Sequence, residues 1–114
     1  MKEIKAIVQP FMLAKVVDAL KQIEGLPGMT VDTDVQGFGR SLASGARDKI
    51  TLDAIEYAKK AKLEIVVPDE LADQVVQTIL QHAHTGNPGD GKIFVIDVQQ
   101  SYRIRTGESG ADAL

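Results

Sequence analysis

The strongest constraint in this chain is that it spells one unit twice. Ile7-Val8-Gln9-Pro10 is echoed by Ile65-Val66-Val67-Pro68, Leu13-Ala14 by Leu71-Ala72, and Asp34-Val35-Gln36 by Asp97-Val98-Gln99. Each copy reads as strand, helix, strand. In the first, Ile4, Ala6 and Val8 alternate with polar neighbours such as Lys5, the period of a strand with one buried face. Pro10 ends that strand. Leu13, Val16, Val17, Leu20 and Ile23 then recur at helical spacing until Glu24-Gly25-Leu26-Pro27-Gly28 stops the helix. Met29 to Gln36 is strand-like again, anchored by Val31 and Val35. In the second copy, Leu63 to Val67 is a short apolar strand and Pro68-Asp69 opens a helix with Asp69 as its N-cap. Leu71, Val75, Val76, Ile79, Leu80 and Ala83 form the buried stripe of that helix, and Ile93 to Val98 is the next strand. Arg103 to Thr106 adds a short final strand before a polar tail at about 107–114.

Two such units in a single domain, 1–114, predict an α+β fold, a ferredoxin-like βαββαβ sandwich. The natural packing is an antiparallel four-stranded sheet with both helices on one face. The other face is left uncovered, so a homo-oligomer that buries it is expected. A long polar loop between strands 2 and 3, at about 39–60, joins the halves. A connection of this length is either functional or a flexible insertion. Its later half, Leu52 to Lys62, reads as a helical turn or two.

Bulk properties narrow the function. A net charge of −3 and the scarcity of aromatics (three Phe, two Tyr, no Trp) argue against a general nucleic-acid binder. The chain has no cysteine, which removes disulfides, thiolate metal sites and cysteine nucleophiles. No apolar run approaches a membrane span and the start is not a signal peptide, so a cytoplasmic protein without membrane insertion is expected.

Three segments carry candidate chemistry. Thr85-Gly86-Asn87-Pro88-Gly89-Asp90-Gly91-Lys92 has two readings: a helix cap with an Asp-Gly turn that restarts a strand, or a cradle of backbone N–H groups with Lys92 as a point charge for phosphate. Gly86 to Lys92 has Walker A spacing, but Ile93 stands where Ser or Thr should hold magnesium, and the order helix, loop, strand is reversed. Gly37-Phe38-Gly39-Arg40 is either a strand terminus with Phe38 in the core or a close-approach segment with Arg40 beside a phosphate. Arg103-Ile104-Arg105, if extended, sends both guanidinium groups to one face and Ile104 inward. The arginines either guard a solvated edge or join Lys92 as three cations, about enough to balance a triphosphate. His82 and His84, two apart on a helix, make a poor metal pair and fit capping or surface roles. Neither a nucleophile triad nor paired carboxylates are visible, so no enzyme is expected, and ATP hydrolysis would lack a positioned base.

Together these pieces resemble the P-II signal transduction family over nearly the whole chain. The resemblance runs through Ala6-Ile7-Val8-Gln9-Pro10-Phe11, Gly28-Met29-Thr30-Val31, Gly37-Phe38-Gly39-Arg40, Lys62 to Asp69, Thr85 to Val95 and Arg103 to Glu108. It implies a homotrimer with ATP or ADP in a cleft between subunits, AMP as a further candidate, and magnesium alongside ATP. The positions it assigns to nucleotide binding are Thr30, Gly37, Gly39, Arg40, Lys60, Glu64, Thr85, Gly89, Asp90, Gly91, Lys92, Arg103 and Arg105, with no metal site formed by protein side chains alone. The long loop matches the family's T-loop, which docks on a membrane transporter or metabolic enzyme through about residues 41–57. Here the chain departs from the family. Ser41 stands where relatives have a glutamine, which weighs against 2-oxoglutarate although Lys60 remains. Asp53 replaces the tyrosine that relatives carry for uridylylation. Leu42 to Lys49 replaces the usual loop core. The implied function is a nucleotide-sensing regulator; the alternative is a P-II-like module tied to metal efflux or inorganic-carbon transport that does not sense 2-oxoglutarate.

Overall fold

Alternating burial along the first strand sets the architecture. Ile4, Ala6 and Val8 are buried, and the residues between them face the other way. The computed structural model of the chain describes residues 1–37 and 58–114. Its elements are β1 (Lys2–Val8), α1 (Leu13–Leu20), β2 (Met29–Gly37), β3 (Ala58–Val67), α2 (Asp69–Ala83) and β4 (Gly91–Asp97). The four strands form one sheet in the order β2-β3-β1-β4, antiparallel at every pairing. This is the ferredoxin-like arrangement that the doubled unit predicts.

Directly opposed residues in a sheet share a face. The register Ile4↔Ile65, Ala6↔Leu63 and Val8↔Ala61 therefore stacks the buried positions of β1 and β3 on one side. Val16, Leu20 and Ile23 from α1 and its following turn, and Val75, Ile79 and Ala83 from α2, close over them. Full burial of a side chain such as Leu63 contributes ~1.5–3 kcal/mol. That packing holds α1 together, because a helix of eight residues is marginal alone in water. The opposite sheet face carries Glu3, Lys5 and Ile7 of β1, Lys62, Glu64 and Val66 of β3, and Lys92, Phe94 and Ile96 of β4. No helix among the described residues covers it, and Phe94 and Ile96 are exposed there.

Several expectations need correction. Leu80, assigned to the buried stripe, is exposed. Asp69 does not cap α2. Pro68 occupies the N-cap without a side-chain bond, and the Asp69 carboxylate accepts from the Met1 ammonium at 2.8 Å. That contact holds the Asp69 carboxyl below its ordinary range, and its charge also suits the helix N-terminus. β3 starts at Ala58, so Lys60 belongs to a strand and the helical turn expected through Lys62 is absent from Ala58 onward. Its lysine-rich first half pairs with the end of β2: Val35↔Lys60, Gln36↔Lys59 and Gly37↔Ala58. The residues 38–57, with Phe38, Gly39, Arg40, Ser41 and Asp53, lie outside the described segments, and with them most of the expected long loop.

β2 holds a further surprise. Its register shifts between Asp32 and Val35, which face Lys62 and Lys60. Three steps on β2 against two on β3 mark a β-bulge. The Asp34 amide turns back to the Asp32 carboxylate at 2.9 Å. Val31 lies opposite Leu63 on the helix side, whereas Val35 lies opposite Lys60 on the open side. Simple alternation puts these two valines on one face; the bulge separates them.

The C-terminal segment is not the extended strand its alternation implied. Tyr102 bridges to Ser109, residues 104–106 turn between them, and Ala111–Ala113 is a 3-10 helix. The Arg103 amide donates to the Glu108 carbonyl at 2.8 Å, and the Gly107 amide donates to the Arg103 carbonyl at 2.7 Å. Ile104 is fully exposed, not directed inward. The tail folds back as part of this hairpin.

Candidate functional site: the glycine loop and the arginine hairpin

The loop after α2 is shaped by one side chain. Asp90 accepts from the Thr85 amide at 2.8 Å, from the Gly86 amide at 3.0 Å and from the Thr85 hydroxyl. The Asn87 amide in turn donates to the Thr85 hydroxyl oxygen at 3.1 Å. Hydrogen bonds that favour the ionised carboxylate lower its pKa. The Thr85 side chain, then the Thr85 amide, hold Asp90 below its ordinary 3.8. Thr85 and Asp90 thus serve as the internal clamp of the loop.

The glycines have distinct uses. Gly91 has φ +110°, and a Cβ there would sit 1.7 Å from the Ile7 carbonyl oxygen. Only a residue without a side chain lets β4 start flush against the end of β1, where Val8 pairs with Gly91. Gly89 has φ +93°. Its carbonyl accepts from Gln9 Nε2 at 2.7 Å and from Lys60 Nζ. Gly37 ends β2 beside the Lys60 stem, 3.5 Å from where a Cβ would stand. Gly37, Lys60, Gly89, Gly91 and Lys92 therefore meet at one end of the sheet. Lys92 is exposed on the open face, opposite Ile7. Gly39 and Arg40 lie outside the described residues.

Thr30 and Glu64 sit further along the same face. They oppose each other across β2 and β3, and Thr30 Oγ1 reaches the Glu64 carbonyl at 3.4 Å. Glu64 is four residues along β3 from Lys60, roughly 13 Å of extended chain. Its carboxylate stands 3.5 Å from Lys62 Nζ. A hydrogen bond with Glu3 of β1 holds Glu64 below the usual range and raises Glu3 above it, so Glu3 keeps its proton longer.

Arg103 and Arg105 are not with the others. β4 leads away from the glycine loop over seven residues, roughly 20 Å of extended chain. The hairpin then packs at the N-terminal end of β1, where Ser101 Oγ lies 3.1 Å from Met1 Sδ. Arg103 is committed to the hairpin. Its guanidinium pairs with Glu108 at 3.2 Å and donates to the Asp112 and Leu114 carbonyls at 3.4 Å each. Arg105 stands exposed in the turn, without an ion pair among the described residues. The expected set of three cations therefore splits between opposite ends of one chain.

The hollow beside the loop, bordered by Ile79, Ala83, Gly91, Lys92 and Ile93, holds about 120 Å³. Small-molecule sites usually run to about 300–1,000 Å³, so this hollow by itself is smaller than such a site. Among the described residues no cluster of His, Asp or Glu is arranged to hold a metal, and no helix is long and apolar enough to cross a membrane. His82 Nδ1 contacts the Thr78 carbonyl at 2.8 Å within α2, a helix-end role. Gln9 escaped the reading of the sequence as a loop contact. The available signal was its place between the last buried residue of β1 and a proline.

The family profile described as "Nitrogen regulatory protein P-II" matches residues 1–108. The chain is 46% identical to "Nitrogen regulatory protein P-II" of Haemophilus influenzae over 114 residues, covering all of both chains. It is also 46% identical to "Nitrogen regulatory protein P-II 1" of Escherichia coli K12 and 43% identical to the P-II protein of Bradyrhizobium diazoefficiens, again over the full length of each. The folded sheet, the glycine loop and these full-length matches place the chain in the P-II family of nitrogen regulatory, signal-transducing proteins.

Proposed function

We propose that this P-II protein senses adenine nucleotides in a cleft between protomers of a homotrimer, and signals through the segment between β2 and β3 to a transporter or enzyme. One observation carries the reading. The two cationic parts of the candidate site, Lys60 and Lys92 at the glycine loop and Arg105 at the hairpin, stand at opposite ends of the sheet in one chain. A neighbouring copy would bring the hairpin of one protomer to the glycine loop of the next. The open sheet face, with exposed Phe94 and Ile96, supports such an assembly because apolar surface of that kind is stabilised by burial.

Within that cleft, the glycine-loop amides not used by Asp90 and the Lys92 ammonium suit phosphate oxygens. Thr30 and Glu64, on the same face, suit the hydroxyl groups of ribose or the edge of a base. A switch further requires that ATP and ADP favour different arrangements of the β2–β3 segment, since equal affinity shifts nothing.

Titration calorimetry with ATP, ADP and AMP, each with and without magnesium, tests the reading. Saturable binding of at least one nucleotide is expected. Lys92→Ala should weaken it by about tenfold or more, as the loss of a charge-assisted bond does. Absence of heat with all three nucleotides would overturn the proposal.

A further inference from the structure

We infer that Gln9 is a positioning residue that holds the glycine loop closed and so leaves the Lys60 ammonium exchangeable to an anionic ligand. The inference rests on the nucleotide-binding reading above and names how that site is kept ready.

The geometry begins with the backbone. Gln9 precedes Pro10 and has φ −65° and ψ 136°, the extended region that a following proline imposes. Its carbonyl accepts from the Met12 amide at 3.0 Å, so the backbone is fixed on both sides. The side chain then reaches across to the loop, and Nε2 donates to the Gly89 carbonyl at 2.7 Å. A Cβ at Gly89 would come within 3.0 Å of the same nitrogen, so the contact is close by construction.

The Gly89 carbonyl also accepts from Lys60 Nζ. A carbonyl has two lone pairs, and here both have a donor. The donors differ in what they can do next. Gln9 is neutral and short-tethered to a fixed backbone. Lys60 carries a positive charge on a flexible stem with three N–H donors. An arriving phosphate or carboxylate binds an ammonium more strongly than a neutral carbonyl does. If Lys60 alone held Gly89, turning to an anion would strand a part-buried carbonyl, which opposes the exchange. With Gln9 in place the carbonyl stays satisfied and the loop keeps its shape while Lys60 moves.

The test uses the full-length protein with Gln9→Met, which keeps length and removes the donor, and Gln9→Lys, which restores a donor. Amide hydrogen exchange is read at Thr85 and Gly86 without ligand, and Mg-ATP affinity by calorimetry; thermal melts verify that each variant folds. Gln9→Met should lose protection at those amides by about two- to tenfold, the change expected from one hydrogen bond, and lose affinity by a similar factor. Gln9→Lys should recover the protection. Unchanged protection in Gln9→Met overturns the inference, as does lost protection with unchanged affinity. A wild-type chain that binds no adenine nucleotide overturns the nucleotide reading and the ligand role of Gln9 with it; the hydrogen-exchange effect of Gln9→Met would still be seen in that case, which separates the two failures.

Discussion

The glycine loop and the C-terminal hairpin both join polar groups to backbone turns, yet they spend their charges differently. In the loop, the acidic residue is consumed by structure and the cation is left over: Asp90 is tied to Thr85 and Gly86, while Lys92 projects from the open face. In the hairpin, one of two arginines is consumed. Arg103 braces Glu108 and the tail carbonyls, and Arg105 is left in the turn. The contrast teaches that adjacent residues of one type need not share a role. A turn needs internal hydrogen bonds to exist, and in this chain Asp90 and Arg103 provide them.

The comparison breaks most severely at Gly91. Gly91→Ala places a Cβ 1.7 Å from the Ile7 carbonyl oxygen at φ +110°, and neither strand can yield without losing the Val8–Gly91 pairing. Urea denaturation should show a loss of about 4 kcal/mol or more, in the range reserved for severe lesions. A loss below about 1 kcal/mol would mean that the close approach of loop to β1 is not required.

The next test separates the two arginines. Arg105→Ala should leave stability within about 0.5 kcal/mol of wild type, as surface changes do, and weaken ATP binding by about 1.5–3 kcal/mol, the worth of a charged hydrogen bond. Arg103→Ala should lower stability by about 0.2–1 kcal/mol, as loss of an exposed ion pair does. Equal effects of both substitutions on both readouts would erase the proposed division of labour.

A pH titration sharpens the account of the loop. Asp90 is held below its ordinary 3.8 by bonds present only in the fold. A depressed carboxylate adds stability that is present above the unfolded pKa and is lost as pH falls through the folded value. Carboxyl carbon NMR should find a midpoint for Asp90 below 3.8 and the protection of Thr85 and Gly86 failing over that interval. The smallest effect belongs to the open face. Glu3 should titrate above 4.5 and Glu64 below it. The contribution of Glu3 is present below its unfolded pKa and lost as pH rises through its folded value; that of Glu64 runs the other way. Glu3→Gln should move Glu64 alone.

Much of this was legible in the sequence where one periodicity governed a whole element. β1, α1 and α2 follow their apolar spacing because each packs one face on the shared core, whereas β4 touches that core only through Ile93. β3 was half legible. Ile65 and Val67 announce a strand, but Ala58 to Lys62 carries three lysines and reads as loop or helical turn, since it pairs with an edge strand and turns Lys60 and Lys62 to the open face. The β2 bulge was hidden because its cause is local backbone geometry near Asp32 and Asp34. At the candidate site, Gly91 and Lys92 were legible from residue type alone. The commitments of Asp90 and Arg103 were not, because which partner a charged side chain takes depends on the turn it closes.

The central claim is that the nucleotide site is built from two protomers, and mixing tests it most directly. Lys92→Ala and Arg105→Ala proteins, each impaired alone, are unfolded together at equal concentration, refolded and titrated with ATP. Random assembly across a cyclic interface regenerates about one quarter of the sites with both cations intact. The account predicts recovery of high-affinity binding at about that fraction; recovery of none, with mixed oligomers shown to have formed, would contradict it.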